Sequence, residues 1–370
     1  MKQTPTYISH SSFEAWKSCQ EKYYLRYVEK LKSIVRGSSL DFGSAMDNAI
    51  NFCLEAHQNN DLENLLERAY DVFCNDPKKG WLRLFDDLNL RFLSSDFDTS
   101  FFSDEDLELL GVWEKELGVN TSEVYVSFKD RKNKEQTEIQ LKFSNRVCWK
   151  SLLIRAKYMI SELVYNVLPQ IEKVHLFQHK ISGSIPLPSV NGESQEMSSV
   201  GYLDAVLSLK GYDKPIVIDF KTASSPYDSD AVFNSQQLAL YMTPTAEEFD
   251  TDLAGFIVLH KSLSYDAKCS KCGHKKTSQA RSCDNEVKGN RCKGAWEKEY
   301  KATSQILVDK ISKERQNQIM TSYVNFAQVV PLNIRIQNWN ACFDYGFKCD
   351  FYEVCHKGDT SQVVVNDRKK

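Results

Sequence analysis

Residues 216–221 read Ile-Val-Ile-Asp-Phe-Lys, an apolar run that ends in a carboxylate and an ammonium two residues apart. In a strand, positions i and i+2 point to the same face, so Asp219 and Lys221 look into one shared space. Burying either charge alone is costly, and a buried pair needs further partners. A chain carrying this stretch has two ways to fold. Either the strand lies at a sheet edge with a surface ion pair, or it lines a polar site such as one for a metal ion.

The flanking sequence bears on that choice. Residues 199–210, Ser-Val-Gly-Tyr-Leu-Asp-Ala-Val-Leu-Ser-Leu-Lys, form a second apolar strand pattern, and Gly211-Tyr212-Asp213 is a turn signal between the two. The resulting hairpin brings Asp204 opposite Asp219 to Lys221, within one residue of register. Two carboxylates at close range do not both stay ionised without a cation between them. Mg²⁺ or Mn²⁺, bound through oxygens, relieves that repulsion, lowers the pKa of a bound water and offsets charge in a phosphoryl transition state. Lys221 would orient the attacking water or neutralise the developing charge. Downstream, Ser-Gln-Gln-Leu-Ala-Leu-Tyr-Met at 235–242 reads as helix and sets Gln237 and Tyr241 on one face.

The remaining pattern places helices first and strands second. Residues 7–30 read as a capped aromatic helix, with Phe13, Trp16, Tyr23, Tyr24 and Tyr27 at helical spacing. Residues 40–170 read mostly as amphipathic helices, with the charge-rich 128–140 as a loop. Strands follow from about residue 172, and a helix reaches about residue 328. The expected fold is α/β in an α+β order, a mixed sheet flanked by helices. Its expected parts are a helical region 1–170, a core sheet 171–264, an insertion 265–300, a core completion 301–360 and a tail 361–370.

The chain has 370 residues, 42% hydrophobic, which is enough for one large domain or two modest ones. A net charge of −3 announces no polyanion binder, so any phosphate site must be built locally. The first twenty residues lack an apolar signal core, and no run approaches the roughly 18 apolar residues of a membrane span. A cytoplasmic protein with no membrane partner is the expectation.

Eleven cysteines in such a chain read better as clustered metal ligands than as disulfides. Cys269, Cys272, Cys283 and Cys292 begin with a C-x-x-C knuckle in a short polar segment, the pattern of a closed Zn²⁺ site, with His274 as an alternative ligand. Lys268, Lys271, Lys275, Lys276, Arg281, Lys288, Arg291 and Lys293 surround them. This basic module is either a phosphate-backbone contact or a structural ribbon with solvated charges. Cys342, Cys349 and Cys355 make a second, incomplete group, and Cys19 is available as a distant fourth ligand. Cys53, Cys74 and Cys148 fall in helical patterns and suit buried packing.

Taken together, G-Y-L-D, I-D-F-K-T and Q-x-x-x-Y resemble the RecB-type nucleases of the PD-(D/E)XK superfamily. The resemblance implies a restriction-endonuclease-like core in which Asp204 and Asp219 bind Mg²⁺ or Mn²⁺. It further implies that Lys221 is catalytic and that Gln237 and Tyr241 position substrate and site, with the Phe220 carbonyl as a further metal ligand. Leu-Asp-Phe-Gly-Ser-Ala-Met-Asp at 40–47 is similar to the family's G-S-x-x-H segment, where a histidine binds metal; Asp47 stands at that place. Gln178 stands where relatives often have a glutamate.

The cysteines at the chain ends resemble the iron-sulfur branch of these nucleases, which includes CRISPR-associated exonucleases and AddB. That likeness implies a [4Fe-4S] cluster on Cys19, Cys342, Cys349 and Cys355, although Gln20 replaces the usual proline and Cys342 lies farther upstream than the common spacing. A second zinc, or plain thiols, would use the same residues. The implied activity is a metal-dependent deoxyribonuclease acting on single-stranded DNA or duplex ends, an exonuclease first and a structure-selective endonuclease close behind. Replication or recombination proteins are the implied partners, and the cysteine layout resembles phage or prokaryotic proteins. The alternative is a nuclease-fold module that binds DNA without cutting it, which Asp47 and Gln178 favour.

Overall fold

A computed structural model describes residues 7–81, 104, 125–129, 136–142, 149–190, 193–276, 282–344 and 347–365. Its central sheet has six strands: β1 (Tyr7–Ile8), β2 (Ile171–Val190), β3 (Glu193–Leu209), β4 (Ile216–Ala223), β5 (Leu253–His260) and β6 (Ser304–Lys310). β3 runs antiparallel to β2 and β4, β5 is parallel to β4, and β6 is antiparallel to β5. The sheet is therefore mixed, as the order of elements in the sequence implies.

One detail of the pairing positions the site. β2 pairs with β3 from Ile171↔Leu209 to Val190↔Glu193 and so occupies one edge along the whole of β3. β1 meets β3 at Ser198 and Ser199, and β4 meets it from Ala205 to Leu207, so both share the opposite edge. Between them, neither strand pairs with 200–204, and the sheet opens there.

Among the described residues, the helices that cover the sheet are α1 (His10–Ser18), α2 (Ser38–Gln58), α3 (Leu65–Asn75), α4 (Trp149–Glu162), α5 (Gln236–Thr245) and α6 (Lys313–Val329). The period-2 alternation of β4 sorts its side chains between two cores. Ile216, Ile218 and Phe220 pack with Phe42, Phe73 and Leu153 from α2, α3 and α4. Val217 packs with Phe13, Leu238 and Phe326 from α1, α5 and α6. A strand buried on both faces reads as an unbroken apolar run, which is why 216–218 shows no alternation. The same alternation sends Asp219 and Lys221 to the α5 side. Parallel β4 and β5 need a crossover, and α5 supplies it, starting where Ser235 accepts from Leu238 N at 3.1 Å.

Two local expectations are corrected. The opening helix is not continuous. Cys19 is extended (φ −162°, ψ 120°), and a short turn Gln20–Tyr23 and a π-helical stretch Tyr24–Val28 follow it. The charge-rich interval is not all loop either. Tyr125–Lys129 and Gln136–Lys142 pair as antiparallel strands, with Val35–Gly37 alongside. There Ile139 and Leu141 alternate with polar neighbours, a strand pattern hidden among many charges. Cys148 and Arg281 lie outside the described residues. Among the described residues no helix is long and apolar enough to cross a membrane.

Candidate active site

Asp219 is 1% exposed, so its carboxylate needs partners. Lys221 Nζ lies 2.6 Å from Asp219 Oδ2. From α5, Gln237 Nε2 donates to Asp219 Oδ1 at 2.7 Å, and Gln237 Oε1 accepts from Lys221 Nζ at 2.9 Å. Gln237 Nε2 also donates to Tyr241 OH at 3.1 Å. The i, i+4 spacing of Gln237 and Tyr241 thus serves one network, closed by a strand pair on the facing sheet. Gly201 admits the tyrosine: a Cβ there would stand 2.7 Å from Tyr241 Cε1.

Asp204 joins from β3. The paired ladder stops at Ala205↔Ile218, and one step further Asp204 Oδ2 accepts the Phe220 backbone N–H at 2.8 Å. Burial, then the Asp219 charge, push Asp204 up to about 8. Burial also raises Asp219, against the pull of Lys221. Burial works against the Lys221 ammonium, but Asp219 outweighs it and holds the pKa above the usual lysine range. A buried acid, Asp219, and a half-buried one, Asp204, share the half-buried Lys221 ammonium, and with both acids ionised the set is one positive charge short.

Asp47 sits at the rim on α2, where its charge acts on both aspartates. Its carboxylate accepts from Asn51 Nδ2 at 3.2 Å and pairs with Lys79 at 3.4 Å. Gln178 falls opposite Asp204, at a step skipped between the pairs Phe177↔Ala205 and His179↔Leu203. Its φ of 48° is left-handed and its side chain is exposed.

The sequence matches the PD-(D/E)XK nuclease superfamily over residues 7–265. That span is most of the chain and holds Asp47, Asp204, Asp219, Lys221, Gln237 and Tyr241. The chain belongs to the PD-(D/E)XK nuclease superfamily. No curated protein matches it. Among solved structures it is similar to that of SSO0001, with 13% identity and a TM-score of 0.25, over 49% of this chain and 60% of that one.

This superfamily member carries its first cysteine group between β5 and β6. Ser264–Cys269 pairs with Trp296–Lys301, and the strands Glu286–Val287 and Asn290–Arg291 form a small hairpin beyond them. Among the described residues, Cys269, Cys272, Cys283 and Cys292 alone form a group of three or more such ligands whose donor atoms all lie within 4.8 Å. Cys269 and Cys292 sulfurs are 3.5 Å apart, and those of Cys272 and Cys283 3.7 Å. Burial opposes ionisation of Cys269, but the N–H groups of Cys272 and Lys271 draw it down to about 6. His274 is not in the group, although its carbonyl accepts from Cys269 N at 2.9 Å.

Cys19, Cys342, Cys349 and Cys355 line one small cavity at the joined chain ends. Asn338 ties the ends together, donating from Nδ2 to Ser18 O at 2.8 Å and from its N–H to Cys19 Sγ at 3.5 Å. Glu21 and Arg335 form an ion pair beside them. Sequence reasoning missed His356, whose Nε2 lies 3.3 Å from Cys342 Sγ. It follows Cys355 directly, the one local signal available. His10 was also missed: its Nδ1 is 2.8 Å from Tyr323 OH, a contact across 313 residues that no spacing rule reaches.

Proposed function

We propose that this chain is a metal-dependent deoxyribonuclease that hydrolyses backbone phosphodiesters, as an exonuclease at DNA ends. One observation carries the reading: the Asp204 and Asp219 carboxylates converge beside one ammonium, Lys221, so that with both acids ionised they outnumber it. The deficit of positive charge fits a divalent ion. Asp204, Asp219, the Phe220 carbonyl and Asp47 would hold Mg²⁺ or Mn²⁺, hard ions suited to an all-oxygen set. When bound, such an ion lowers the pKa of a water and stabilises phosphoryl charge.

The protein's own groups have distinct tasks. Lys221 stays an ammonium and is aimed by Gln237, so it neutralises charge on the phosphate oxygens. Gln237 keeps Asp219 and Lys221 in one geometry. Tyr241, pushed up to about 12 chiefly by burial, remains a neutral hydroxyl.

Zinc suits the first cysteine group. Tetrahedral Zn–S bonds of 2.3 Å put sulfurs about 3.8 Å apart, close to the two separations observed. The second group, Cys19, Cys342, Cys349 and Cys355, lines one cavity, and a [4Fe-4S] cluster held by these four thiolates would staple the two chain ends. Replication, recombination or repair is the process such an activity serves, with proteins of those pathways as partners. A phage or prokaryotic origin and a cytoplasmic location belong to the same reading.

The alternative, a DNA-binding module without hydrolysis, draws on the Asp47–Lys79 pair and the exposed Gln178. One experiment separates them. End-labelled single- and double-stranded DNA is incubated with Mn²⁺ or Mg²⁺ and with anaerobically purified wild type or Asp219→Ala. Cleavage that needs both metal and Asp219 is the expected result. A folded, fully metallated wild type that cuts no DNA end would leave the binding module.

A further inference from the structure

A cavity of about 590 Å³ opens beside Gln237 and Tyr241, at the gap in the β3 edge. Its walls include Tyr7, Tyr27, Tyr202, His10 and Lys180, and no lining residue is acidic. Resting on the nuclease reading above, we propose that this cavity receives the unpaired terminal nucleotide of a DNA strand, with Tyr202 as the stacking platform and Lys180 as the phosphate contact.

Size and chemistry agree. The volume lies within the roughly 300–1,000 Å³ of sites that enclose small ligands, enough for a nucleotide and too confined for a duplex. Rings with a lone cation are the composition that binds single strands, because every base offers a face to stack. Lys180 and Tyr202 are direct cross-strand partners, so ring and ammonium project from neighbouring points of the sheet. Tyr202 lines the cavity and is 65% exposed, so its ring is open to solvent. It precedes Asp204 by two residues, and Gln237 joins the cavity wall to Asp219.

The polar groups of the wall are also set for a ligand. Tyr323 OH donates its only proton to Gln236 O at 3.1 Å, so its contact with His10 requires Nδ1 of His10 to be the donor. Burial holds His10 down to about 4 and the ring neutral, which leaves Nε2 as an acceptor for a base N–H. Tyr241 OH accepts from Gln237 and from the Tyr202 N–H, and keeps its own proton to donate.

The test is run without divalent ion, so that binding is read apart from cleavage. Full-length protein in chelator is titrated into single-stranded DNA carrying 2-aminopurine at either terminus or at a central position. A terminal probe quenched by wild type, and bound about tenfold more weakly by Tyr202→Ala but normally by Tyr202→Phe, is the expected result. Lys180→Ala weakens the same binding and flattens its salt dependence. Equal quenching at the centre, or terminal binding unchanged in Tyr202→Ala, would overturn the proposal. Protein that shows the terminal preference yet never cleaves with metal present would remove the hydrolytic reading and leave the pocket standing. Protein that cleaves without any terminal preference would remove the pocket alone.

Discussion

Gln237 donates to Asp219 Oδ1 at 2.7 Å while its own Oε1 accepts from Lys221 at 2.9 Å. An ammonium only donates and a carboxylate only accepts, so the orientation of the amide is forced. Gln237→Glu removes the donor and sets a third acid against Asp219. Cleavage should fall by about a hundredfold or more, in the range lost when one preorganised donor is removed. Circular dichroism should show the fold intact; a variant that cuts at the wild-type rate would refute the role.

The raised acids make a prediction about stability. Asp204 moves from 3.8 to about 8, and Asp219 moves in the same direction. Between those values the folded, metal-free protein keeps a proton that the unfolded chain has lost. Its stability therefore falls as pH rises from 3.8 towards about 8. A divalent ion binds only the ionised form, so it should reverse the trend. Thermal unfolding at about pH 5.5 and about pH 8.5, in chelator and in Mn²⁺, reads both slopes. Asp204→Asn should flatten the chelator slope.

Gly201→Ala tests the approach of sheet to helix. The added methyl would meet Tyr241 Cε1 at 2.7 Å. Overpacking of this kind costs about 1–3 kcal/mol, and here it also displaces the tyrosine from Gln237. Both the melting temperature and the cleavage rate should drop. An unchanged rate would show that Tyr241 is not held by this contact.

Asp47→Ala should weaken metal dependence without abolishing cleavage. The half-saturating Mn²⁺ concentration rises about tenfold or more when a ligand's support is lost. Asp47→His, which installs the residue of the G-S-x-x-H segment, should retain activity. Equal metal response in all three proteins would place Asp47 outside the ligand set.

The two cysteine groups should load independently. Cys272→Ser should remove one equivalent of zinc and leave any iron and acid-labile sulfide in place. Cys349→Ser should do the converse, and the released chain ends should become the first sites of proteolysis. Zinc in both groups, with no sulfide, would replace the iron-sulfur assignment with a second zinc.

Much of the site was legible because its chemistry is local. Asp219 and Lys221 share a face by strand period alone, and Gln237 and Tyr241 do so by helical period alone. The C-x-x-C knuckle at Cys269 and Cys272 needs only a tight turn to close. Even the hairpin that delivers Asp204 is announced by Gly211, whose φ of 86° suits that turn.

The sequence by itself determined which residues carry charge, which faces they share and which cysteines stand close along the chain. Periodicity encodes direction, and direction is what those features need. Tertiary structure alone decided that β1 and β4 share one edge of β3 and leave the gap that opens beside Gln237. It also decided that Asp204 reaches the Phe220 N–H, that His10 meets Tyr323, and that Cys19 turns towards Asn338 and the C-terminal cysteines. Each of these depends on how separate elements stack, and packing energy between distant segments leaves no period in either one.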